Sequence, residues 1–172
     1  MTEPTAARIA QIFNAQFLGS HNTMMSGGAA EPLYEPAVDC RPARIVFTYD
    51  YPASALHEAA HWCLAGRVRR SQRDYGYWYQ PGPRTAQQRR EFFAAEAEVQ
   101  ALEAIFAQTC DVRFVVSADD FAASPEEIDA FRQRIEQCIA QRRECLPERA
   151  RRFCVALTGA FANARANEHE RG

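Results

Sequence analysis

Lysine is absent from this chain: all twenty of its basic residues are arginine. Any lysine-directed chemistry must therefore act on another molecule. No apolar run approaches the roughly 18 residues of a membrane span, and the N-terminus lacks the basic and apolar stretch of a signal peptide. No membrane association is expected. The six cysteines (Cys40, Cys63, Cys110, Cys138, Cys145 and Cys154) show no C-x-x-C spacing, so reduced thiols in a cytoplasm are expected. A net charge of −2 and a pI near 6.1 lack the basic footprint of a direct nucleic-acid binder. Histidine is scarce too, with only His21, His57, His61 and His169.

Two of those four fall in Ala55-Leu56-His57-Glu58-Ala59-Ala60-His61-Trp62. On a helix, the i to i+4 spacing stacks His57 and His61 on one face with Cβ atoms about 6 Å apart, so both can reach one ion. Glu58 lies about 100° round the axis, where a carboxylate can act on metal-bound water. An isolated H-E-x-x-H also arises by chance, and a buried histidine is often a satisfied core residue. Leu56, Ala60 and Leu64 fall beside the two imidazoles, however. Unpaired polar rings on so apolar a face would be costly, and a metal resolves that cost.

At 172 residues and 47% hydrophobic content the chain suits one domain with its own core. The expected fold is α+β, mostly helical, with a small sheet beside the metal helix in a zincin-like arrangement. The domain is expected to span 1–164, with a frayed tail over 165–172 that includes His169. Ile9, Ile12, Phe13 and Phe17 mark an opening helix over 5–18, which Gly19 stops. Residues 20–42 are turn-rich, with at most a short strand near Leu33 and Tyr34 and with His21 facing solvent. Arg44 to Tyr49 reads as a strand, Asp50-Tyr51-Pro52 turns it into the metal helix, and Gly66 closes that helix with Cys63 in the core.

Seven arginines against one aspartate between Arg67 and Arg90 give a local charge of +6. Such a run is either a solvated face or a docking patch for an acidic partner, with Arg69 and Arg70 nearest the metal helix. Asp74 to Tyr79 packs Tyr75, Tyr77, Trp78 and Tyr79 together, either to plug the core or to wall the metal pocket and touch substrate. A helix over 85–107 shows Phe92, Ala95, Val99, Leu102 and Phe106 on its core face. Glu96, Glu98 and Glu103 lie near that face, and periodicity does not choose among them as a third ligand. Val112 to Ser117 reads as a strand. Ser124-Pro125-Glu126-Glu127 is a capping box opening a helix with Ile128, Phe131, Ile135 and Cys138 inward, and a last helix after Pro147 carries Phe153, Leu157 and Phe161.

The run Tyr51-Pro52-Ala53-Ser54-Ala55-Leu56-His57-Glu58-Ala59-Ala60-His61-Trp62-Cys63-Leu64-Ala65-Gly66 resembles the bacterial elongation factor P hydroxylase family. Asp74-Tyr75-Gly76-Tyr77-Trp78-Tyr79, Glu31-Pro32-Leu33-Tyr34 and Gln100-Ala101-Leu102 match its pattern in order, over roughly residues 9–160. The chain departs from that pattern at Gln80-Pro81-Gly82-Pro83-Arg84, where Cys-Pro-Asp-Gly-Arg is expected, and at Tyr49, where many members carry histidine. The resemblance implies a metal held by His57, His61 and Glu96, and hydroxylation of a lysine on translation elongation factor P that already bears a β-lysyl group. The substrate-contact candidates are Tyr75, Tyr77, Trp78, Arg69 and Arg70.

Two histidines and a carboxylate serve either non-haem Fe(II) or catalytic Zn(II), and only the resemblance tips the choice to iron. With zinc, Glu58 would be the general base of a peptidase or amidase; with iron, it would orient a ligand or handle protons. A third reading is a binding module that uses the arginines and no metal.

Overall fold

Pro52 opens the helix that carries the two imidazoles. Its fixed φ suits the first helical position, and Ser54 turns back so that its Oγ accepts the Thr48 N–H at 3.0 Å. In the computed structural model, which describes residues 4–76, 84–118 and 123–169, this helix is α2, Pro52–Leu64. The order before it is α1 (Ala6–His21), β1 (Thr23–Ala29), β2 (Leu33–Glu35) and β3 (Ala43–Thr48). After it come α3 (Arg67–Arg70), a 3₁₀ turn over Arg73–Gly76, α4 (Ala86–Cys110), α5 (Pro125–Glu144) and α6 (Glu148–His169). The fold is α+β, mostly helical, with one three-stranded sheet.

β3 is the centre of that sheet, parallel to β1 on one side and antiparallel to β2 on the other. β1 was not expected, because Thr23-Met24-Met25-Ser26-Gly27-Gly28-Ala29 reads as turn chemistry. Its pairing comes from tertiary contacts instead of propensity. Asn14 on α1 grips the outer edge, with its Nδ2 donating to the Met25 carbonyl at 3.0 Å and its Oδ1 accepting the Met25 N–H at 2.7 Å. Gly27 is needed for the close approach, since a Cβ there would meet the Phe47 ring and lie 2.6 Å from the Tyr49 carbonyl oxygen. The register slips between Ser26 and Ala29, where Gly28 has φ 101°.

α2 is buried on most sides, among α1, β3, α4 and α6. Trp62 is fully buried, with ring centroids 5.1 Å from Phe13 and 4.8 Å from Phe17. Truncating a buried tryptophan of this kind costs about 3–5 kcal/mol. Cys63 is buried beside it, as expected, and desolvation pushes its thiol far up, so it is an inert core residue. α2 ends just before Gly66, as expected, with Ala65 as its extended cap residue (φ −61°, ψ 123°). Arg149 supplies the cap, donating to the carbonyls of Trp62, Cys63 and Ala65 at 2.7–3.1 Å, and Arg70 adds a 2.6 Å bond to the Ala65 carbonyl.

Three further expectations need correction. α1 runs through Gly19 to His21 and stops at a left-handed Asn22, so His21 is half-buried, with one side of its ring against Phe17 and Trp62 and its Nδ1 at the exposed Ser20 hydroxyl. The core face of α4 includes Phe93 and Ala97 in place of Phe92 and Ala95, because its first half packs on α5 and its second half on α2 and α6. Phe92 is half-buried beneath the Arg84 guanidinium, 3.8 Å above its ring.

Residues 112–117 form no strand. They keep the alternating half-buried and exposed pattern of one, but Gln100 takes the place of a neighbouring strand, its Oε1 accepting the Ser117 N–H at 3.1 Å and its Nε2 donating to the Ser117 carbonyl at 2.7 Å. Phe114 from this segment packs against both hydrophobic clusters.

The capping box at Ser124 and Glu127 forms as read, and Phe131, Ile135, Cys138, Phe153, Leu157 and Phe161 are buried. The helical backbone of α6 continues past Arg165 to His169, while the side chains from 163 onward, His169 among them, lie outside the described residues. Among the described residues no helix is long and apolar enough to cross a membrane.

Candidate metal centre

The imidazoles of His57 and His61 project from α2 toward α4, and their Nε2 atoms stand 3.1 Å apart. Glu96 on α4 closes the group, its Oε1 lying 3.5 Å from His61 Nε2 and its Oε2 3.8 Å from His57 Nε2. One ligand atom from each of the three lies within 4.8 Å of the others. Two atoms bound to one ion at about 2.1 Å can be no more than about 4.2 Å apart; the nearest approach of each pair lies within that limit, with Glu96 meeting the two imidazoles through different oxygens. These residues could hold one metal ion.

The other two carboxylates considered from the sequence are placed differently. Glu103, two turns along α4, accepts a 2.8 Å hydrogen bond from His57 Nδ1. That bond fixes the ring and turns the Nε2 lone pair of the neutral imidazole toward Glu96 and His61. Glu98 points to α5, where Arg142 Nε and Nη2 lie 3.0 and 2.9 Å from its Oε2. Sequence reasoning held Glu103 open as a ligand and missed it as an orienting group; its signal was the seven-residue step from Glu96, which puts both on one face.

The electrostatics of the metal-free site follow from burial. Desolvation alone would lower the pKa of His57, but the hydrogen bond and charge of Glu103, with Glu58 and Glu96 nearby, raise it to about 9. His61 goes the other way, to about 3, because burial and the neighbouring His57 charge both disfavour its cation. The pair therefore shares one proton near neutral pH, held on His57. Glu58 is 8% exposed. Burial, with the charges of Glu96, Asp74 and Glu103 and against that of His57, raises its carboxyl to about 7.

Tyr75 packs beside the centre, its ring nearly parallel to His61 at 6.1 Å and stacked on Tyr34 at 4.2 Å. Both Asp74 (φ 48°) and Tyr75 (φ 58°) are left-handed, which costs about 1–3 kcal/mol for each such residue. Arg69 donates to the Tyr75 carbonyl at 3.3 Å and Arg70 to the end of α2, so these two arginines serve the fold as well as presenting charge. Tyr77, Trp78 and the departure at 80–83 lie outside the described residues. Tyr49, more than half exposed with φ 46°, packs edge-on against Tyr51 at 5.6 Å.

A curated relative from Haemophilus influenzae, elongation factor P lysine hydroxylase, is 38% identical over 156 residues, covering 90% of this chain and 88% of the relative. The profile of the elongation factor P hydroxylase family matches residues 12–171. With a match of that extent spanning both α2 and α4, the chain belongs to the elongation factor P hydroxylase family.

Proposed function

We propose that this protein is a cytoplasmic, non-haem iron protein-lysine hydroxylase of the monooxygenase type. Its substrate is the lysine of translation elongation factor P that already carries a β-lysyl group, and its ligands for one Fe(II) ion are His57, His61 and Glu96. The observation that carries this reading is the approach of two imidazole nitrogens and one carboxylate to a common point, with Glu103 behind His57, in a member of this family. The donor set suits Fe(II) because it leaves coordination positions for other groups. When bound, the ion supplies the one-electron chemistry that activation of dioxygen requires.

The residues of the chain have separable tasks. Glu103 keeps His57 in the tautomer whose Nε2 can bind a metal. Glu96 brings the negative charge that partly neutralises a divalent ion in a poorly hydrated place. Glu58, buried and with a pKa near 7, can take up or release a proton at neutral pH. Tyr75, Arg69 and Arg70 are proposed to contact substrate, as are Tyr77 and Trp78 outside the described residues, with the arginines favouring an acidic face of the partner protein. Because the chain has no lysine of its own, a lysine-directed oxidant finds no such target in the enzyme.

The test is metal analysis of anaerobically purified protein, followed by reaction with β-lysylated elongation factor P and mass spectrometry of the product. The reaction contains dioxygen and an added two-electron chemical reductant, so that one oxygen atom enters the lysine and the other leaves as water. Gain of one oxygen atom with Fe(II), and none with Zn(II), is expected. Turnover with Zn(II) alone, releasing a cleaved product, would instead favour a peptidase or amidase in which Glu58 is the base.

A further inference from the structure

Residues 112–117 leave the end of α4 and run back along it with the alternation of a strand: Arg113, Val115 and Ser117 are exposed, while Val112, Phe114 and Val116 are half-buried. Two clamps hold the segment. The Val112 N–H donates to the Ala107 carbonyl at 2.9 Å, and one Gln100 amide takes both backbone groups of Ser117. Between the clamps, the backbone N–H and C=O groups of residues 113–116 make no hydrogen bond among the described residues. Val115 is 64% exposed, and Arg113 has no ion-pair partner among the described residues.

This open stretch is next to the candidate metal centre. Gln100 is four residues after Glu96 and three before Glu103, so the three share one face of α4. In an extended chain the N–H and C=O of one residue point to the same edge, and every second residue shares that edge. Arg113 and Val115 therefore present their backbone groups on the edge that Gln100 holds at Ser117. The Gln100 amide stands in for one residue of a neighbouring strand, and the next two positions along the edge are open. We propose that this edge is a docking strand for the protein substrate: an extended segment of the partner pairs with Arg113 and Val115 and carries an acidic residue that meets the Arg113 guanidinium. An open strand edge is a template for another chain, with main-chain bonds giving affinity and side chains giving choice. A second copy of this chain fits less well, since antiparallel pairing about Val115 sets Arg113 opposite Ser117 and leaves the cation unmatched. The inference rests on the hydroxylase reading for the partner's identity and adds how its backbone is held.

The experiment follows amide hydrogen exchange in the full chain loaded with redox-inert Zn(II), with and without β-lysylated elongation factor P. The Arg113 and Val115 amides are expected to exchange freely in the enzyme alone and about tenfold more slowly in the complex; this arm needs no variant to fold. Val115→Pro removes one of these donors at a position whose N–H makes no bond in the free fold, and should weaken binding about tenfold. Val115→Thr keeps the N–H and should bind as the wild type does. Arg113→Glu should weaken binding about threefold at low salt and less at high salt. Unchanged exchange at Arg113 and Val115 on complex formation, or equal binding by Val115→Pro and Val115→Thr, would overturn the proposal. So would protection of these amides in the enzyme alone, which rises with enzyme concentration if a second copy covers the edge and is independent of it if residues 77–83 do. Absence of oxygen incorporation by the Fe(II)-loaded wild type, with the exchange pattern and the Val115→Pro effect intact, would instead defeat the hydroxylase reading and leave the docking strand standing.

Discussion

Helix α4 carries carboxylates in two settings. Glu98 faces α5 and is neutralised by the Arg142 guanidinium, about a third exposed on both sides. Glu96 and Glu103 face α2, where both approach the imidazole of His57 and Glu96 also that of His61, with side chains 14% and 9% exposed. The same residue type on one helix thus becomes a tie between helices or part of the candidate metal centre, according to what it faces. An arginine is a permanent cation, and both of its contacts here reach Glu98 Oε2. An imidazole is a cation only when protonated, so the α2 side keeps a charge balance that a divalent metal can complete.

The sharpest way to break this contrast is to remove each carboxylate in turn. Glu96→Ala, like His57→Ala or His61→Ala, should abolish turnover and weaken Fe(II) binding by more than about 100-fold, as read by equilibrium metal titration. Glu98→Ala should leave metal stoichiometry unchanged. Loss of metal in Glu98→Ala with retention in Glu96→Ala would reverse the assignment. Glu103→Gln is intermediate, because it removes the orienting carboxylate but no ligand; a loss of about 10- to 100-fold in metal affinity is expected.

Proton linkage separates the two settings as well. In the metal-free protein His57 has a folded pKa near 9, above its unfolded value of 6.5. Its contribution to stability is therefore fully present below pH 6.5 and is lost as pH rises through about 9. Glu58, raised to about 7, acts in the same direction over a lower range, its contribution fading as pH rises from 4.5 through 7. Thermal melts of metal-free protein should shift downward between pH 6.5 and 9, and Glu103→Gln should flatten that slope. At pH 7 metal uptake should release about one proton, from His57, measurable by calorimetry in buffers of different ionisation enthalpy. The smallest effect belongs to the tie: Arg142→Met should lower stability by about 0.2–1 kcal/mol and leave the proton release intact.

Much of the site was legible because helical spacing is rigid. His57, Glu58 and His61 follow from period alone, and the buried setting of α2 from its alanines and Leu56. The choice among Glu96, Glu98 and Glu103 was not, since all three lie near one broad face and only the packing partner tells them apart. The resemblance to a family pointed to Glu96, and the distances agree with it. In the fold, β3, the five longer helices and the Ser124 cap were readable from pattern, whereas α3 was not. β1 and the segment 112–117 were misread for one reason: strands are made by partners. A glycine-rich segment with Asn14 and β3 beside it becomes a strand, while a β-branched one whose backbone is taken by Gln100 does not. The left-handed turn at Tyr75 had no local signal, since nothing in Arg73-Asp74-Tyr75 favours positive φ twice in succession.

The central claim is that His57, His61 and Glu96 grip a single ion. Anomalous diffraction from crystals of the anaerobic, Fe(II)-loaded protein tests it most directly. One iron peak is expected, about 2.0–2.2 Å from His57 Nε2, His61 Nε2 and a Glu96 oxygen, with Glu103 still bonded to His57 Nδ1. A peak bound elsewhere, or one that has Glu103 or Glu98 as its carboxylate ligand, would contradict the account.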